Sequence, residues 1–561
     1  MPAVAKQSRN LVLAAMIFAV AMTFIDQTIV SIAAPNIQRE LHLTSTGMQW
    51  AINSYLLALA ALFAFGGRLA DTVGHTKMVV IGVIVFAGAS AMCGLTPVGS
   101  ISEAWIVTFR AIQGAGGALM FPAALGIVVQ TFPLHERGKA LALFFGIAGG
   151  LTAVGPILGG YLTEWTWRAI FWVNIPVALI ALVLIAISRP STDYKWAPID
   201  YKGLALIVSG IALSIVGFQQ AGIWGWSSAA TILFIVAGAL LLVVFAIVEQ
   251  RIHEPLMEVS IFRIRAFAVE NLVLGISMLV FVPFFFFASE YAQISLDKKA
   301  QQAGLVLLYF FLGFVVTSQI GGRILDRRGA KRPVVIGCAL AAVGFGIWAS
   351  KVTQLNFSSQ IWPIILAGAG MGLMLTPAST DAVNRASRLS YGEATGITQT
   401  VRNYSASLGL AVLGTVLVSQ LRDHVTTSLV QMGVPQGQAS TEAGRIAQFQ
   451  SSGSGGSNSI ASIPHFVRLD FAEASRTVFF AMAGIMAVAA VVAFLGLQPG
   501  VQKASDEPVG AVPVDGGEPS EAGVVGAYPA GEDPHARPHS HLRDHHERYE
   551  ERRERRHDRL S

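Results

Sequence analysis

The chain has 561 residues, of which 53% are apolar by type and 13% charged, against about a quarter charged in a soluble domain, and its mean hydropathy is +0.57. A water-soluble protein cannot hide that much apolar surface and a disordered chain would not carry it, so both classes are excluded and most of the chain has lipid as its solvent. The net charge of +5, from 39 basic and 34 acidic side chains, sits in short clusters between apolar runs rather than along one face, which argues against a nucleic-acid partner.

A bilayer core about 30 Å thick takes about 20 apolar residues per helix. Fourteen runs qualify: 11–34, 48–67, 77–96, 104–127, 139–162, 169–187, 203–219, 229–248, 267–288, 303–322, 333–350, 361–381, 394–419 and 474–497. These define an all-α polytopic membrane protein. The first run follows Lys6 and Arg9, is too long for the apolar part of a signal peptide and contains Asp26, so it reads as a retained helix. With the N-terminus inside, the inner loops hold nineteen basic residues and the short outer loops five. That bias predicts both termini in the cytoplasm of a cell-membrane protein.

Along the chain, charge inside a span marks candidate chemistry, because an ionisable group in lipid is costly. Asp26 lies nine residues before Pro35, the outer end of helix 1, or ~13 Å below the outer surface at the helical rise. On helix 2, Trp50, Asn53 and Tyr55 mix aromatic and polar groups and are candidates for a substrate cavity. At the inner end of that helix, Gly66 and Gly67 are expected to let it end close against a neighbour, Asp71 to accept backbone N–H bonds of the next helix, and Gly74 to supply the turn. Arg110 on helix 4 falls ~10 Å below the outer surface, at the depth of Asp26. We expect Asp26 to carry a coupling proton and Arg110 to tune it, since arginine stays protonated. Gln113 joins the candidate cavity, with Arg402 of helix 13 at mid-depth. Glu270 and Asp381 read as interfacial charges, and Glu290, at the outer end of helix 9 beside Tyr291, as an exposed rim charge or as lining an exit vestibule. Phe281, Phe284, Phe285, Phe286, Phe287, Tyr309, Phe310, Phe311 and Phe314 crowd helices 9 and 10. Four consecutive phenylalanines point all ways round a helix, so some are expected to face lipid and others, with Phe281, Phe285 and Tyr309 foremost, a greasy pocket. Cys93 and Cys338 lie in apolar runs and form no disulfide framework.

The chain repeats itself. Residues 66–82, GGRLADTVGHTKMVVIG, and 321–337, GGRILDRRGAKRPVVIG, are identical at nine of seventeen positions, 255 residues apart. GAGGALMFPA from Gly114 and GAGMGLMLTPA from Gly368 place Pro122 and Pro377 at the same offset. The shift is eight helices, which predicts two parallel six-helix bundles, residues 1–190 and 251–498, around two extra transmembrane helices, 191–250, in a 6+2+6 arrangement. Parallel repeats of this kind house a substrate site between the halves. Residues 420–473 read as an outer loop holding the flexible SSGSGGSNS, with 460–473 alternating enough to lie on the membrane surface. Residues 499–561 read as a disordered cytoplasmic tail, and His539, His541, His545 and His546 as part of that solvated tail in preference to a metal site.

These motifs resemble a known family. Gly67-Arg68-Leu69-Ala70-Asp71 with Gly74 is similar to the signature loop of the major facilitator superfamily, and Gly322, Arg323, Asp326 and Gly329 form its second copy. Thr72, His75 and Thr76 stand where that loop is usually basic; the second copy keeps Arg327, Lys331 and Arg332. Arg110 to Ala118 resembles the second signature. Gly155-Pro156-Ile-Leu-Gly159-Gly160 on helix 5 resembles the signature of the antiporters, although the glycines at 149 and 150 are out of register. Asp26-Gln-Thr28 through Pro35 resembles the fourteen-helix drug/proton antiporters of the EmrB/QacA type. The resemblance, over residues 8 to 498, implies a major facilitator fold and a proton-driven exporter of lipophilic, cationic drugs or related small molecules. The alternative is an exporter of one metabolite, antibiotic or lipid, or an importer. Expected partners are the lipid bilayer, a small-molecule substrate and protons, with a monomeric chain, no cofactor and no enzymatic reaction; GxxxxGK[ST] and HExxH are absent.

Overall fold

The computed structural model describes residues 2–133, 136, 140, 143, 144, 147, 150–190, 199–252, 255–385, 391–449 and 464–500. The described residues are almost entirely helical. In chain order the helices are α1 (Pro2–Leu41), α2 (Ser45–Val73), α3 (His75–Gly94), α4 (Ser102–Thr131), α5 (Val154–Trp165) and α6 (Ala169–Ser188, broken at Val173). There follow α7 (Tyr201–Trp224), α8 (Ala229–Glu249), α9 (Arg265–Ile294), α10 (Ala300–Arg328), α11 (Lys331–Ala349), α12 (Ile361–Arg385), α13 (Tyr391–Gln431), α14 (Gln436–Phe449) and α15 (His465–Gly496). Thirteen of them are long and apolar enough to cross a membrane. With α5, the described end of the fifth run, the set is compatible with fourteen spans.

Local chemistry sets the ends. Thr44 caps α2 by accepting the Gly47 N–H at 2.9 Å, and Asp200 caps α7 by accepting the Lys202 N–H at 3.0 Å. The turns after α2 and α10 fall on Gly74 and Gly329, at φ +107° and +78°, conformations an L side chain resists. Asp71 does not cap α3 as expected. It lies in the last turn of α2 and faces His75 Nε2 at 3.3 Å, four residues on, because the chain continues helical on both sides of Gly74.

Packing repeats as the sequence does. In the first bundle α4 packs on α1, α2 and α3, and α6 on α1 and α3; in the second, α12 packs on α9, α10 and α11, and α15 on α9 and α11. The halves meet through α2 with α13, α5 with α10, and α1 with α9. The pair α7–α8 lies outside this ring, with α7 against α2 and α13. Its partner α8 leaves Leu233, Val236, Leu240, Val243 and Ile247 exposed, a surface suited to lipid.

Three expectations change. All four residues Phe284 to Phe287 are buried, at 0–2% exposure. Helix α9 packs against α1, α10, α12, α13 and α15, which cover the Phe284–Phe287 stretch on all sides, while Leu272 near its start stays exposed. Glu270 and Asp381 are likewise buried between helices rather than exposed. The expected 420–473 loop is mostly helix: α13 runs on to Gln431, α14 follows, and α15 begins at His465. Polar residues end an apolar run without ending a helix, and Val467 and Phe471 are buried in the early turns of α15. SSGSGGSNS and the tail histidines fall outside the described residues.

Candidate functional site

Helix α4 reaches the middle of the first bundle because glycines remove its side chains where other helices cross. A Cβ on Gly114 would stand 2.4 Å from Tyr55 O, and one on Gly116 would stand 2.6 Å from Phe86 N. That close approach aims Arg110 at α1 and α2. Arg110 Nη1 donates to Asp26 Oδ2 at 2.5 Å and to Gln113 Oε1 at 2.8 Å, and its Nε donates to Ala51 O at 3.1 Å. Gln113 Nε2 donates to Asp26 Oδ1 at 2.9 Å. The guanidinium lies 4.4 Å from the Tyr55 ring centre, whose hydroxyl donates to Thr23 O. Asp26 and Arg110 are 0% and 1% exposed. The two charges expected at one depth are thus in contact and enclosed, with both Asp26 oxygens hydrogen-bonded.

In this conformation several of the expected cavity residues are enclosed by protein. Gln113 and Tyr55 are buried parts of the Asp26–Arg110 cluster. Asn53 is buried too, donating to Gln219 Oε1 at 2.5 Å and accepting from Ser407 Oγ. It therefore ties α2 to α7 and α13. Phe281 and Phe285 pack on Phe310, Phe311 and Phe314 in a ring cluster. Tyr309 is half-buried near Phe357, and Trp50 is half-buried on α2. Glu290, 3% exposed, and Arg402, half-buried, have no hydrogen bond or ion pair with another described residue.

A cavity of about 430 Å³ lies elsewhere, at the end carrying the α2–α3 turn, between α2, α4, the 255–258 linker and the start of α13. Gly67, Arg68, Asp71 and His75 line it. A Cβ on Gly66 would stand 2.1 Å from Ala118 O, so that glycine brings α2 onto α4, whereas Gly67 meets only Pro122 at 3.6 Å. In the second copy Gly321 approaches Leu373 O, Gly322 has open space, and Arg323 and Asp326 are exposed.

The opposite end is sealed. A Cβ on Gly304 would stand 2.4 Å from Pro156 O, and one on Gly160 would stand 2.8 Å from Gln301 Cα, so the Gly155–Gly160 motif of α5 lies directly on the start of α10. Gly155 and Gly159 turn instead to Thr28 and Ile29 of α1. Gln293 Nε2 donates to Ile32 O at 3.0 Å, and Gly414 of α13 faces Gln49 of α2.

Sequence reasoning missed the role of α7. Besides Gln219, its Ser214 hydroxyl meets Tyr404 Oη at 3.1 Å, and its Phe218 carbonyl accepts from Thr415 Oγ1 at 3.2 Å. The available signal was the polar Ser214 and Gln219 within an apolar run, five residues apart.

Comparison with known proteins gives the family and the fold. Residues 16–410 match the Major Facilitator Superfamily model. The chain is 30% identical over 485 residues to the tetracenomycin C resistance and export protein of Streptomyces glaucescens, covering 84% of this chain and 89% of that one. It is 32% identical to the puromycin resistance protein pur8 of Streptomyces alboniger, covering 72% and 82%. Among solved structures it resembles a bacterial homolog of the human lysosomal transporter Spinster in an inward-facing, unoccupied conformation, with a TM-score of 0.57 at 16% identity over 87% of this chain and 97% of that one.

Proposed function

The chain belongs to the major facilitator superfamily, and on that premise we propose that it is a proton-coupled exporter of lipophilic small molecules of the drug or antibiotic kind, working by alternating access. It is a transporter and not an enzyme. The similarity to resistance and export proteins supports outward movement. The observation that carries coupling is the Asp26 carboxylate, buried between α1 and α4 and held there by Arg110 and Gln113. Of the two charges only the carboxylate changes state, so the cluster is neutral with the proton absent and positive with it present. Proton entry would break the ion pair and loosen α1 from α4.

The basic loops support a cytoplasmic placement of both termini in the cell membrane. The α2–α3 end then faces the cytoplasm, and this conformation has its cavity inside and its seal outside. The rings of α9 and α10 stack on one another, so ring faces for a cationic cargo are not what this conformation offers.

The test is uptake into inverted membrane vesicles under an imposed pH gradient, with a panel of cationic, neutral and anionic compounds. Accumulation that collapses with the gradient is expected. Accumulation indifferent to it would overturn the coupling, and none of any compound would overturn the export.

A further inference from the structure

We propose that Asp200 and Glu249 form a proton-sharing site that fastens the linker between the inserted helix pair and the second bundle. Asp200 uses one oxygen, Oδ1, to cap α7, and its Oδ2 is buried with no hydrogen-bond partner. Glu249, the last residue of α8, is 2% exposed. Its Oε2 accepts the Met257 N–H at 3.1 Å, while its Oε1 is buried with no partner. The two unpartnered oxygens meet over Gly203: a Cβ there would stand 2.1 Å from Glu249 Oε1 and 2.4 Å from Asp200 Oδ2. The carboxyls occupy the space a side chain would need.

Two ionised carboxylates in this position repel each other in a site with little water. One proton turns the pair into an O–H···O⁻ bond, among the stronger hydrogen bonds a protein makes. A divalent metal fits less well, because calcium or magnesium takes six or more oxygens. No third Asp, Glu, His or Cys joins the two among the described residues. The other charged groups nearby are turned away or engaged. Lys202 and Arg251 are exposed, Glu258 accepts from Ser260 Oγ, and Arg263 donates to Gln250.

The consequence reaches the cavity. Leu256, Met257 and Glu258 form part of its wall, and Glu249 holds that wall through Met257. With the proton bound, Glu249 stays turned inward and the segment is fixed. As pH rises and the proton leaves, Glu249 swings away from Asp200 and the Met257 bond goes with it.

The test is hydrogen exchange of the 256–258 amides in the full chain in lipid nanodiscs, from mildly acidic to mildly alkaline pH. Each rate is divided by that of Glu249→Gln at the same pH, which cancels the intrinsic pH dependence of exchange. The glutamine still accepts from Met257 and donates to Asp200 without a proton. The expected ratio is close to unity on the acidic side and rises about tenfold on the alkaline side, the equivalent of one pH unit of titration. A flat ratio overturns the proposal. A rise abolished by magnesium or calcium overturns it in favour of a metal. A rise abolished by His253→Gln or Glu254→Gln overturns it in favour of the linker's own groups. Asp200→Asn supplies the same amide donor from the other side and must flatten the profile too, so the result does not hang on one variant folding.

Discussion

At the scale of single residues, the central question is whether Asp26 and Arg110 form a working proton site or a fixed brace. Their pairing was legible in the sequence, because helical rise alone puts them at one depth. The part of Gln113 was less so: it sits one turn beyond Arg110, on the same face, and the spacing does not say that its amide bridges to Asp26. Replacing Asp26 by Asn leaves the Arg110 charge buried and uncompensated, which costs about 3–5 kcal/mol. The single Asp26→Asn variant is therefore expected to lose both coupling and stability, and by itself decides nothing. The double variant Asp26→Asn, Arg110→Gln removes both charges and is expected to recover most of the thermal midpoint in detergent. If the cluster is the proton site, the double variant stays folded and fails to accumulate cargo in vesicles under a pH gradient. Gradient-driven accumulation at the normal rate would make the pair a brace.

At the scale of elements, the repeat made the two bundles readable, since an offset of eight helices dictates which contacts recur. The inserted pair has no counterpart in the repeat, so the sequence offered nothing to align it with, and its seam came only from the structure. Asn53 is the centre of that seam, serving Gln219 and Ser407 at once. Gln219→Leu leaves the Asn53 amide without its acceptor, and an unpaired buried donor costs about 1–3 kcal/mol. A fall in thermal midpoint is expected for Gln219→Leu and for Asn53→Leu alone. The double variant should fall by less than the two together, because neighbours sharing a bond are not additive. Strict additivity would show that the bond does not hold α7 in place. The burial of Phe284 to Phe287 escaped sequence reasoning for a related reason. A helix surrounded on all flanks and one bathed in lipid carry the same apolar composition, and only the neighbours distinguish them.

For the whole molecule, the asymmetry between a sealed end and an end with a cavity depends on glycines placed where the halves touch. The seal joins α5 to α10, α1 to α9 and α2 to α13, the three most extensive contacts between the halves. Its tightest described backbone approach within the α5 motif is at Gly304, where any side chain would enter the space of Pro156 O. Rocking one bundle against the other opens this contact, whereas repacking within a bundle does not. Gly304→Val is therefore expected to disfavour the sealed state and raise the population open at that end, since overpacking a tight contact costs about 1–3 kcal/mol. The check uses Ile32→Cys, a position 0% exposed beside the Gln293 bond, alkylated by a water-soluble thiol reagent in the full chain in lipid nanodiscs; the native Cys93 and Cys338 are buried. Alkylation is expected to run about tenfold faster with Gly304→Val, the equivalent of about 1.4 kcal/mol. Gly484→Val, at a site with no atom within 4 Å of the added Cβ, should leave the rate unchanged. Equal acceleration by both would mean general loosening. Acceleration by neither would mean that the α5–α10 contact is not what keeps this end shut.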